Sequence, residues 1–200
     1  MYDDKIIDII TEILNIGMGE AANSLSKLVN THILIKVPDV RVMQLADIHK
    51  YISDELDASG VYMSQIFTGY AKGKAILFYP KDCSVSLLNS LCGQTDKISD
   101  LTEVEIATLN EIGNMVIGSC MAEIANVLKS KISFEFPEVT VETSGKYFQN
   151  MLKDLGKSDM VIIVKNVMCI KETDIQGYFF VMLSFEDVNH ILDDLRKKMN

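Results

Sequence analysis

Residues 8–22 read DIITEILNIGMGEAA, and residues 107–121 read ATLNEIGNMVIGSCM. Each stretch carries a Glu followed three positions later by an Asn: Glu12 and Asn15 in the first, Glu111 and Asn114 in the second, 99 positions on. Pro38 and Pro137 follow the two Asn residues with 22 residues between. A Glu and an Asn three apart lie on one helix face, and both pairs interrupt segments that otherwise read as core-forming helices. Two copies of one polar pair imply two copies of one site.

The first helix starts at a cap, Asp3 or Asp4, carries apolar residues at 6, 7, 10, 13, 14 and 25, and runs to about Val29. Asp8, Glu12, Asn15 and Gly19 stack in a single stripe, while Ile6, Ile10, Ile13 and Gly17 lie on another side. The matching stripe of the second helix is Ala107, Glu111, Asn114 and Gly118, which keeps the acid, the amide and the terminal glycine and loses the first carboxylate. A glycine inside a helix costs roughly 1 kcal/mol against alanine. Gly17, Gly19, Gly113 and Gly118 therefore indicate close approach of another backbone or of a partner surface.

Working outward, the rest of the chain repeats as well. His32–Val37 reads as an edge or bent strand ending at Pro38. Val40–Met43, Val61–Tyr70 and Lys74–Tyr79 follow as strands, then a helix opening at Asp82 and stopping at Gly93. After the polar loop Gln94–Asp100 a helix begins, capped by Ser99 or Asp100 or by the box Thr102-x-x-Glu105, and runs to about Leu128. Strands are predicted over Lys131–Phe136, Val139–Thr143, Met160–Met168 and Gly177–Phe185, with a last helix from Glu186 to Leu195. Gly73–Asp82 corresponds to Gly177–Glu186 at an offset of 104. Offsets of 99 and then 104 indicate duplication with a five-residue insertion: one domain of two repeats, 1–98 and 99–200.

Composition narrows the function. Hydrophobic residues make up 48% of the 200, enough for a sizeable core. The longest apolar stretch, Tyr178–Leu183, is far short of the ~20 residues of a membrane span. The acidic start MYDDKIIDII has no secretory pattern, which predicts a cytoplasmic protein. A net charge of −9, with the longest basic cluster, Arg196–Lys198, at a helix end, argues against nucleic acid as a partner. Cys83, Cys92, Cys120 and Cys169 form no metal-binding spacing and read as reduced, mostly buried small apolar groups. His32, His49 and His190 are isolated. Met18, Met115 and Met121 are assigned to the core, and no nucleophile elbow, metal box or phosphate loop is present.

A lone Glu-x-x-Asn on a helix is ordinarily a solvated face. The joint occurrence of acid, amide, x22 spacing and proline, twice, is specific. Asp8, Glu12, Asn15 and Pro38 meet in full a pattern, Asp/Ser-x3-Glu-x2-Asn-x22-Pro, that resembles the signature of the CheC/CheX/FliY chemotaxis phosphatases. The second copy departs only at Ala107. Asn15–Ala22 also resembles that family's glycine-alanine helix. Two complete copies without an appended switch domain resemble the CheC branch.

The resemblance implies an α+β fold of two pseudo-symmetric halves. Their strands are pooled in a shared sheet, on which the two motif helices lie side by side with motif faces outward. It implies a phosphatase acting on the aspartyl phosphate of a CheY-like response regulator. That bond is already activated, so holding one water in line supplies much of the catalysis. Asn15 and Asn114 would orient the water; a carboxamide accepts and donates without titrating. Glu12 and Glu111 would dock on the regulator's lysine, with Asp8, Gly19 and Gly118 completing the partner-binding face. Ala107 would weaken docking of the second helix more than its chemistry, leaving two sites of unequal strength. No cofactor is expected in the chain itself, the Mg²⁺ being supplied by the regulator. The receptor deamidase CheD is a further expected partner of such a protein, and the chain is expected to be a monomer. The alternative is a non-catalytic adaptor that binds the phosphorylated regulator or CheD.

Overall fold

The computed structural model describes residues 4–56, 59–92, 101–151 and 159–199. Two 26-residue helices, α1 (Asp4–Val29) and α4 (Glu103–Leu128), carry the two motifs. α4 opens on the capping box: Glu105 N–H donates to Thr102 Oγ1 at 3.3 Å, and Thr102 N–H donates to Glu105 Oε2 at 2.7 Å. Two free N–H groups of the first turn are thus satisfied. The alternative caps Ser99 and Asp100, the cap Asp3 and the stop at Gly93 lie outside the described residues.

Between the motif helices run β1 (Ile33–Gln44), α2 (Ile48–Glu55), β2 (Ser59–Gly69), β3 (Gly73–Pro80) and α3 (Lys81–Cys92). After α4 come β4 (Ile132–Phe134), β5 (Glu138–Thr143), α5 (Ser144–Met151), β6 (Met160–Ile170), β7 (Thr173–Leu183) and α6 (Phe185–Met199). Two corrections to the sequence reading arise at the prolines. His32–Val37 and Val40–Met43 belong to one strand, β1, in which Val37 and Pro38 bulge out between the pairs Lys36↔Val167 and Asp39↔Lys165. Proline has no N–H to give a ladder, so the chain skips that bond and resumes. In the second copy the same break is wider. β4 stops at Phe134, not Phe136, and pairing resumes at Glu138. The short helices α2 and α5 were not foreseen.

The strands form one antiparallel sheet in the order β1-β6-β7-β3-β2-β4, with β5 also pairing β2. Edges are exchanged: β1 of the first repeat pairs β6 of the second, and β4 and β5 of the second pair β2 of the first. At the centre β3 pairs β7, and Ile76 faces Phe180. These two residues are themselves counterparts at the offset of 104, so the pseudo-two-fold axis runs between them.

The central strands are apolar on both faces because both are covered. Ala75, Leu77, Tyr79, Phe179 and Val181 turn to a core shared with α1, α3, α4 and α6. Ile76, Phe78, Tyr178, Phe180 and Met182 turn to a second core under α2 and α5, closed by Leu45, Ile48 and Phe148. Met18 and Met121 are buried in the first core and Met115 packs against it. Of the cysteines described, Cys120 alone is fully buried; Cys83 and Cys169 are half-buried, fewer than the sequence reading assigned to the interior.

The four motif-helix glycines separate into two kinds. A Cβ on Gly17 would stand 2.7 Å from the Cys120 Cα, and one on Gly113 would stand 3.0 Å from the Met63 Cβ. These two let α1 touch α4 and α4 touch the sheet. Gly19 and Gly118 face open space. Gly17→Ala is therefore expected to destabilise by about 1–3 kcal/mol through overpacking against backbone, whereas Gly19→Ala gains up to about 1 kcal/mol from helix propensity. Urea unfolding of the two variants tests this, and equal stabilities would refute the helix contact at Gly17.

Candidate functional site

Asn114 projects from α4 to the floor of an open groove of about 790 Å³, walled by Phe134, Glu135, Phe136, Pro137 and Glu138, with Gln65 and Gly118 completing the lining. The wall is the interruption between β4 and β5. It is stitched to β2 by a hydrogen bond from Glu135 N–H to Ile66 O at 2.9 Å. The proline of the motif thus has a physical role: by ending the ladder opposite the Asn, it turns an edge strand into a lip over the helix. Phe136 is 95% exposed on that lip and Phe134 is 37% exposed.

The carboxamide of Asn114 is held. Gln65, only 6% exposed, donates its Nε2 to Asn114 Oδ1 at 2.9 Å and to Glu135 O at 3.3 Å. A backbone carbonyl can only accept, so it fixes which end of Gln65 faces it, and Gln65 then fixes which end of Asn114 faces back. The second lone pair of Asn114 Oδ1 and both Nδ2 protons remain for other partners. Glu111, one turn earlier on α4, is exposed. Ala107 is exposed too, and adds no polar group to that rim.

On α1 the stripe reads the same way from the outside: Asp8 and Glu12 are exposed, Asn15 and Gly19 half-buried. The surroundings differ. Val37, the counterpart of Phe136, is buried at 9% exposure and Pro38 is exposed, so the first lip is closed down where the second is open. No side-chain hydrogen bond joins Asn15 to another described residue. The structure therefore puts each Glu with its Asn on one helix face, sets the second Asn in a groove and gives it a side-chain anchor that Asn15 lacks among the described residues. Sequence reasoning missed Gln65, Phe134, Glu135 and Phe136. A usable signal existed for Gln65, a polar residue inside the apolar run Val61–Phe67.

Among the described residues no group of three or more His, Cys, Asp or Glu side chains is placed to hold a metal ion. No described helix is long and apolar enough to cross a membrane.

Comparison with known proteins bears on the same residues. A CheC-like family model matches residues 6–42, the stretch holding Asp8, Glu12, Asn15 and Pro38. The chain is 23% identical over 192 residues to the CheY-P phosphatase CheC of Bacillus subtilis, covering 92% of this chain and 90% of that one. It is 28% identical over 134 residues to the flagellar motor switch phosphatase FliY of the same organism, covering 66% of this chain and 34% of that one. The crystal structure of Thermotoga maritima FliY has the same fold, with a TM-score of 0.75 at 23% identity over 99% of each chain. These relatives define a chemotaxis phosphatase-type class of protein. Within that class the chain is similar to CheC over nearly its whole length and to FliY over two thirds of it, with the family-model match centred on the first motif helix.

If the Phe136 ring is a free groove wall, Phe136→Ser leaves stability within about 0.5 kcal/mol, as surface changes do. Phe148→Ala, at a fully buried site, should cost about 3–5 kcal/mol. Thermal unfolding separates the two, and a comparable loss at Phe136 would mean that the ring is packed.

Proposed function

We propose that this protein hydrolyses the aspartyl phosphate of a CheY-like response regulator, using Asn15 and Asn114 as two water-orienting groups. The observation that carries the reading is the twinned surface amide, each with an exposed Glu one turn before it on the same helix face. The likeness to a CheY-P phosphatase over nearly the whole chain supports it.

The chemistry asks little of the protein. Water oxygen bonds to phosphorus, the bond from phosphorus to the aspartyl oxygen breaks with its electrons left on the carboxylate, and the water's proton passes to phosphate or solvent. No nucleophile or strong base is needed from this chain, because the acyl phosphate is already a good leaving system. The amide oxygen accepts a hydrogen bond from the water without taking its proton, and an in-line geometry does the rest, which is worth several kcal/mol. The Mg²⁺ that neutralises the phosphoryl oxygens belongs to the regulator.

Glu12 and Glu111 dock on a lysine of the regulator through charge-assisted contacts, with Asp8 adding a rim contact at the first site. Gly19 and Gly118, which have nothing within 4 Å of where a Cβ would stand, give the regulator's loops bare backbone to approach. Both sites lie on one chain, so a monomer suffices. CheD is a second partner in this reading.

Decay of a phosphorylated CheY-type regulator is the test. The wild type accelerates it at substoichiometric amounts, Asn15→Ala and Asn114→Ala each retain part of the acceleration, and the double variant loses it. Binding of the phosphorylated regulator with no change in decay would replace the phosphatase by an adaptor.

A further inference from the structure

We infer that Gln65 is a positioning residue of the second site: it sets the orientation of the Asn114 carboxamide and thereby makes the two sites unequal in the chemical step. This rests on the phosphatase reading for its catalytic consequence, though not for its geometry.

Three observations carry it. Gln65 is nearly buried, and its one amide nitrogen serves two acceptors, the reacting-site amide and the Glu135 carbonyl of the groove lip. It therefore ties helix, strand and lip together at one point. The direction of the bonds is determined, because Glu135 O cannot donate. Asn114 consequently offers Oδ1 with one lone pair committed and one free, in a fixed plane, whereas an untethered carboxamide rotates between arrangements of which only some suit the water.

The third observation is an internal comparison. Gln65 pairs with Ala75 and Val164 pairs with Phe179, and Ala75 and Phe179 are counterparts at the offset of 104, so the place of Gln65 is taken on β6 by the apolar Val164, and the buried amide of β6 is Asn166, two residues further along the same face. Asn166 is one methylene shorter. It is 1% exposed, accepts from the Tyr79 hydroxyl at 3.4 Å, and leaves its Nδ2 without a hydrogen-bond partner among the described residues. Burial holds that hydroxyl well above its ordinary pKa, so it stays a neutral donor. The second repeat thus does without an amide at the place of Gln65, and keeps one nearby on β6 that serves no helix residue. The reach to Asn114 is a property of Gln65, not a demand of the core.

The consequence reverses the simple reading of Ala107. The second site lacks a rim carboxylate and docks less firmly, but its amide is the pre-set one. The first site docks with Asp8 and Glu12 on an Asn that has no such anchor.

The test uses the full chain with Asn15→Ala, which leaves only the second site, and follows regulator dephosphorylation as a function of regulator concentration. Adding Gln65→Leu, close in size but without a donor, should lower the maximal rate roughly tenfold and leave the half-saturating concentration within twofold. Gln65→Glu keeps the shape and can donate only when protonated. Its rate relative to the parent should therefore be high at low pH and fall as pH rises through the titration of the new carboxyl, a dependence that a merely structural residue would not produce. An unchanged maximal rate in Gln65→Leu, or a change confined to half-saturation, overturns the inference. If the Asn15→Ala parent itself fails to accelerate decay, the phosphatase reading fails at this site. The anchor is then judged by the Asn114 side-chain amide in NMR: a loss of order on Gln65→Leu upholds it, and identical signals refute it.

Discussion

The pairing of β3 with β7 about Ile76 and Phe180 is the constraint on which the rest depends. Because the residues that face each other there are counterparts, the two repeats are locked about one axis at the centre of the sheet. This pairing sends alternate side chains of both strands into two separate cores. It also leaves β2 and β6 with their outer edges free, each to be taken by the first strand of the other repeat. A shift by one residue would turn each strand's apolar set to the opposite face, with Tyr79 and Phe179 exchanging cores with Phe78 and Phe180. The register is therefore strongly specified.

Above the sheet the same axis brings α1 and α4 together. Their contact is close because Gly17 presents no side chain to Cys120, and close contact keeps the outward stripes of the two helices on one surface. The acids and amides are thus held by backbone packing beneath them and not by bonds among themselves. In the proposed function that surface has to remain available to the regulator, which such an arrangement allows. The one exception, the tether from Gln65 to Asn114, comes from the sheet and not from the helix surface.

Much of this was legible in the sequence for identifiable reasons. The long helices announced themselves through the apolar period, the central strands through continuous apolar runs, and the repeat through the spacing of acid, amide and proline. The glycines were read as close approaches, which holds for Gly17 and Gly113, while the periodicity could not say that Gly19 and Gly118 face open space. The exchange of edge strands was not readable either, since the pattern of β1 is the same whichever half supplies its partner. The short helices α2 and α5 escaped because eight residues show little more than two turns of period. The anchor at Gln65 was hidden for a different reason: a polar residue in a strand states that it needs a partner, not which one. Ser64 beside it is equally buried.

The proline interruptions have an effect beyond shaping the groove. Both outer strands of an open antiparallel sheet present unpaired backbone groups, which invite a strand from another molecule and are a common origin of aggregation. Here one edge is broken at Val37–Pro38 and the other at Glu135–Pro137, and the first is flanked by Lys36, Asp39 and Arg41, the second by Glu135, Glu138 and Glu142. An incoming strand would meet a missing donor, an offset ladder and charged side chains. The interruptions thus also protect the chain from sheet extension, so a mutation that straightened either one would expose the protein to self-association, and at the second it would distort the groove at Asn114 as well.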